Sequence, residues 1–212
     1  MIILFIVLPV LSILMSILTG QVEDFPATYL TTVLATSIAG ALGSIMLSTS
    51  ITSEMNKNVF DLFLIRPVKR RNIIIAKFVA VYLCTIIAVW LSIFTGMILD
   101  AVRNVSIPQF FMEQLVDSIL TVFFALAITC SFGTLFGIVM KSVAGSALLS
   151  LYVGNQASSI LTLVIPLISQ MAELQFGVSL PFDPFILSMI IGTAVSIGIL
   201  LVAILFFNKK QF

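Results

Sequence analysis

Apolar residues gather in this chain into long blocks broken by short polar segments. Six blocks, near residues 2–19, 28–52, 73–98, 114–140, 143–166 and 185–207, are each about 20 residues or longer, the length a helix needs to cross a hydrocarbon core of roughly 30 Å. None shows the ten-residue alternation of an outer-membrane barrel strand. The pattern predicts an all-α, polytopic membrane protein: six transmembrane helices in a single domain, 1–212. A soluble domain is about a quarter charged, whereas this chain is 60% apolar and 9% charged, with a mean hydropathy of +1.25.

The polar segment between the second and third blocks, SEMNKNVFDLFLIRPVKRRNIIIAK from Ser53 to Lys77, holds six of the ten basic residues. At roughly 2.5–3.5 kcal/mol for each Lys, Arg or Asp at a helix centre, it cannot lie in lipid. It predicts an aqueous loop over 53–72. Within it Val59, Phe60, Leu62, Phe63 and Leu64 form an apolar patch at helical spacing, ended by Pro67. A short amphipathic helix is expected there, and such a helix needs a partner surface.

Lys and Arg set orientation. With the 53–72 loop in the cytoplasm, strict alternation puts Lys141, Lys209 and Lys210 on the same side and leaves only Arg103 outside. Both termini are then cytoplasmic. Glu23, Asp24, Asp100, Glu113, Asp117, Glu173 and Asp183 fall in the outer segments. The half-apolar stretch 167–184 is too short and too polar to span, and is expected to dip into the outer leaflet. Met1 to Gly20 has neither a basic start nor a small-x-small cleavage site, so it reads as a span and not as a signal peptide. The location is a cell membrane crossed many times, a bacterial plasma membrane by expectation.

Small and hydroxyl residues recur every fourth position in three blocks. The second carries Thr32, Thr36, Gly40, Ser44, Ser48 and Thr52; the fourth Ala125, Thr129, Gly133 and Gly137; the fifth Ser142, Ser146, Ser150, Gly154, Ser158 and Thr162. Such stripes let helices approach closely, or they line a polar path. Asn155 and Gln156, midway along the fifth block, must face protein or water, since a bare amide in hydrocarbon costs several kcal/mol. Interhelix bonding and path lining both satisfy that. The path candidates are Thr36, Gly40, Ser44, Ser150, Gly154, Asn155, Gln156 and Ser158.

Enzymatic readings find no support. The chain has no histidine, which excludes a His triad or a His-ligated metal, and Cys84 and Cys130 sit apart inside apolar blocks as buried small residues. No phosphate-binding GxxxxGK[ST] loop occurs. No metal or cofactor is expected on this chain. The basic cluster is explained by topology, so nucleic acid is not an expected partner, whereas membrane lipid is.

The order of features around the first cytoplasmic loop resembles the permeases of ABC-2-type transporters, the membrane subunits of ATP-binding cassette exporters. That family's loop reads as a Glu, polar residues, Gly-Thr, an acid, leucines, a Pro-Val-Ser-Arg-like turn and a Gly-Lys opening the next helix. The matching positions are Glu54, Asn58-Val59, Asp61, Leu62-Phe63-Leu64, Pro67-Val68-Lys69-Arg70 and Ala76-Lys77. Asn58 departs from the usual glycine, and the amphipathic surface helix with which members usually begin has no counterpart before the first block. The resemblance implies a type V exporter-like fold and a loop that docks on a separate nucleotide-binding ATPase, which would hold ATP and Mg. Val59, Phe60, Leu62, Phe63 and Leu64 would fill a groove on that partner, and Glu54, Lys57, Asp61 and Arg66 would contact its rim. The second and fifth helices would flank a path between two permease copies or paralogues. An amphipathic or hydrophobic cargo such as a peptide, drug or lipid is expected. The alternative is an ion-gradient-driven transporter or a channel, which would carry intramembrane charges or paired broken helices.

Overall fold

The computed structural model describes residues 27–57, 70–102, 109–176 and 184–209, together with Ile6, Val10, Ile13 and Leu14. Apart from those four residues, the first apolar block falls outside the described residues, as does the patch from Val59 to Arg66. Five long helices account for almost all of the rest: α1 (Ala27–Asn56), α2 (Arg70–Val102), α3 (Gln109–Val139), α4 (Val143–Phe176) and α5 (Pro184–Lys209). Four of them contain a stretch long and apolar enough to cross a membrane: Leu34–Asn56, Arg71–Val102, Ile119–Val139 and Met189–Asn208. The chain is a helical, membrane-spanning protein. α4 carries Asn155, Gln156 and four serines between 146 and 159.

Each helix outruns its apolar block. α1 continues through Ser53 and Glu54 to Asn56, and α2 begins at Arg70, so the residues without a described helix between them shrink from the expected 53–72 to 57–69. α4 passes Pro166 and runs to Phe176, ten residues beyond the expected end of the fifth span. Hydropathy marks only what lies in hydrocarbon, and a helix with its backbone bonds already made has no reason to stop there. At 30 residues α1 is about 45 Å long, half as long again as the hydrocarbon core.

α3 is the hub, packed against all four other helices, and α1 packs against α2, α3 and α4. Lipid tails are as apolar as leucine, so association here depends on close fit rather than on escape from water. The α1–α3 contact shows that fit: a Cβ on Gly133 would stand 2.7 Å from the carbonyl oxygen of Ser44 and 3.0 Å from its Cα. Two apolar clusters complete the interior. Ala35, Ala39, Ala88, Val89, Ile93, Val122 and Leu126 fill the α1–α2–α3 space toward the α1 N-terminus. Leu47, Ile51, Met55, Ile74, Cys130, Ile138, Ala203 and Phe207 fill the other end. The outward face of α2 carries Val79, Leu83, Ile87, Trp90, Leu91, Phe94 and Ile98 exposed, as a lipid-facing surface should.

Candidate functional site

α3 and α4 are joined through Met140, Lys141 and Ser142 alone, so they form an antiparallel hairpin, and α1 lies against both. Where the three meet near this hairpin the hydroxyl stripe is a packing seam. Thr52 Oγ1 lies within hydrogen-bonding distance of Ser48 O at 2.8 Å, Gly137 O at 2.9 Å and Ser146 Oγ at 3.0 Å. Ser150 Oγ lies 3.0 Å from Ser48 Oγ. Asn56 Nδ2 donates to Lys141 O at 2.9 Å, tying the end of α1 to the hairpin turn. Ser44, Ser48, Thr52, Ser146 and Ser150 are all buried here.

Farther along the same three helices, toward the N-terminus of α1, the seam parts. A cavity of about 360 Å³ opens between Thr32, Thr36, Ser37 and Gly40 of α1, Thr121, Val122, Ala125, Leu126 and Thr129 of α3, and Asn155, Ser158 and Ser159 of α4. That volume is within the range of about 300–1,000 Å³ typical of small-molecule sites. Exposed Ser37 and Ser159 mark where it reaches the surface. No charged side chain lines it among the described residues.

The expected path residues thus divide. Thr36, Gly40, Asn155 and Ser158 line the cavity. Ser44 and Ser150 belong to the seam, and Gly154 seats the backbone of Thr129, its Cβ position 3.4 Å from Thr129 Cα. Gln156, about 100° farther round α4 than Asn155, is exposed on the outside of the helix group. The α3 wall, from Thr121 to Thr129, was absent from the expected set. Its signal was present as Thr121, Ala125 and Thr129, spaced four apart.

Two contacts made by acidic side chains bracket α1. At its C-terminal end Glu54 pairs with Lys77 of α2, and Ser50 Oγ joins both, 3.3 Å from Glu54 Oε1 and 3.2 Å from Lys77 Nζ. Glu54 Oε2 is buried without a hydrogen bond among the described residues. Lys77 is therefore held by a carboxylate of α1. Lys57, one turn on, is exposed. At the other end Asp100, expected in an outer loop, lies in the last turn of α2, 1% exposed, and accepts from Thr28 N at 2.8 Å and from the Thr28 hydroxyl. Asp61 and Arg66 lie outside the described residues. No group of three or more His, Cys, Asp or Glu able to hold a metal ion occurs among the described residues.

Comparison with protein-family models, with curated proteins and with solved structures finds no match to this chain.

Proposed function

We propose that this chain is the permease subunit of an ABC-2-type exporter, a six-span protein with both termini in the cytoplasm of a bacterial cell. It would work with a cytoplasmic ATPase that binds ATP and Mg, and with a second permease copy or a paralogue. The observation that carries the transport reading is the cavity: a chamber walled by α1, α3 and α4, lined by hydroxyls, an amide and apolar side chains with no charge among the described residues, and closed toward the 57–69 segment by the hydroxyl seam. Lipid offers such a surface nothing, whereas a solute in passage can use it.

α1 is the mechanical link in this reading. It walls the cavity along Thr32 to Gly40, forms the seam along Ser44 to Thr52, and leads straight into the proposed coupling loop. A push on Val59 to Leu64 from a closing ATPase would travel along a rod whose end is clamped to α2 by Glu54 and Lys77. Opening the seam requires a state in which the ATPase contacts are stronger, since a partner shifts a conformational equilibrium only through differential contacts. Gln156 supports a second copy. It lies level with the middle of α1, about 20 Å from either end by helical rise, where an amide needs protein or water to bond it.

An ion-gradient-driven transporter or a channel would place charged groups at the cavity; its described lining has none. The deciding experiment is affinity purification of the tagged chain from its own cells, with ATP hydrolysis measured in the eluate. Activity retained by the wild type and lost when Phe60 and Phe63 are both replaced by Asp is the expected result. A wild type that retains no ATPase refutes the assignment.

A further inference from the structure

Three hydroxyls on the cavity wall have already committed their protons. Thr32 donates to Thr28 O at 2.6 Å, Ser37 to Leu34 O at 3.0 Å, and Thr129 to Leu126 O at 3.0 Å. A hydroxyl has one proton and two lone pairs. With the proton on a carbonyl one turn back, each presents an acceptor to the space in front of it. The Asn155 side-chain oxygen faces the same wall, 3.7 Å from where a Cβ on Gly40 would stand. Beside Thr129 on α3, Val122, Ala125 and Leu126 offer only hydrocarbon. The NH2 group of Asn155 adds N–H donors to this wall, so an amide on a ligand can be met at both its N–H and its C=O, whereas a full charge would find no opposite charge among the described lining residues to balance the loss of water.

We infer that the cavity takes an uncharged, amphipathic ligand whose polar edge is rich in N–H donors, an amide or a short peptide segment. The donor edge would lie on Thr32, Ser37 and Thr129, with the apolar remainder against Val122, Ala125 and Leu126. This rests on the transport reading only in treating the cavity as the cargo site.

The test uses the purified full chain in lipid nanodiscs, with empty nanodiscs as the blank for partitioning, and two probes of one shape: hexanamide and N,N-dimethylhexanamide, which lacks the N–H groups. Calorimetry should show hexanamide binding about tenfold more tightly, the scale of a hydrogen bond that one partner cannot make. The preference should collapse in Thr129→Val and return in Thr129→Ser, which keeps the oxygen. Equal affinities, or tighter binding of the dimethyl amide, would overturn the donor preference and leave the cavity as a site. No binding of hexanamide overturns the ligand class even if ATPase retention holds. Hexanamide preference without ATPase retention supports the ligand class and discards only the exporter assignment.

Discussion

The carboxylate of Asp100, in the last turn of α2, caps the first turn of α1: its Oδ2 accepts both from Thr28 N at 2.8 Å and from the Thr28 hydroxyl. An acid is unfavourable at the C-terminus of its own helix and favourable at the N-terminus of another, so this contact works between helices and fixes their relative height. Replacing Asp100 with Ala should cost about 2 kcal/mol, the upper range for a lost cap. Asp100→Asn should recover part of it by keeping an acceptor. Unfolding of the micelle-embedded protein by SDS, followed by circular dichroism, measures both.

The Glu54–Lys77 pair predicts non-additive substitution. Either Glu54→Gln or Lys77→Met leaves its partner's charge without a counterpart in a partly buried place, so each should destabilise. The double variant should be less damaged than the two losses added together, by about 1 kcal/mol or more. The same unfolding assay gives the cycle, and additive effects would mean that the pair contributes no coupling.

Gly133 and Gly198 should respond oppositely to the same methyl group. At Gly133 an alanine Cβ meets the Ser44 backbone at 2.7 Å, and backbone cannot rotate away. A loss of about 1–3 kcal/mol is expected from overpacking. Nothing lies within 4 Å of a Cβ on Gly198, so Gly198→Ala should be neutral or gain up to about 1 kcal/mol from helix propensity. Thermal aggregation midpoints of the two variants, measured side by side, decide it.

Asn155→Leu should lower transport, or its coupling to ATP hydrolysis, by about tenfold, since removing one amide from the cavity wall is a change of roughly 1–1.5 kcal/mol. Leu201→Ala on the exposed face of α5 should leave transport unchanged at matched expression. Equal transport by the two variants would make Asn155 a packing residue.

Orientation is checked by placing a cysteine at Lys69 in a background with Cys84 and Cys130 replaced. Membrane-impermeant maleimide should label it only after the cells are opened. Labelling of intact cells would turn the molecule over and put the coupling loop out of reach of any cytoplasmic ATPase.

Hydropathy alone determined that this is a helical membrane protein, because the free energy of a side chain in lipid is nearly a sum along the chain and needs no knowledge of neighbours. It also determined the tight α3–α4 hairpin at Lys141 and Ser142, and that helices with small stripes would approach closely. The tertiary structure decided how each stripe is used. Thr36 and Gly40 line a cavity while Ser44, one turn on in the same stripe, is packed beneath a glycine, because the three helices converge at one end and part at the other. Asn155 and Gln156 are adjacent in sequence, yet one lines the cavity and the other is exposed on the outside of the helix group. Asp100, placed by the pattern in an outer segment, is instead buried against Thr28, and Lys77 is paired with Glu54, because α1 brings both partners within reach. Such outcomes depend on helix rotation and height, which are set by the shapes of all the contacting surfaces together and are not encoded in any one segment.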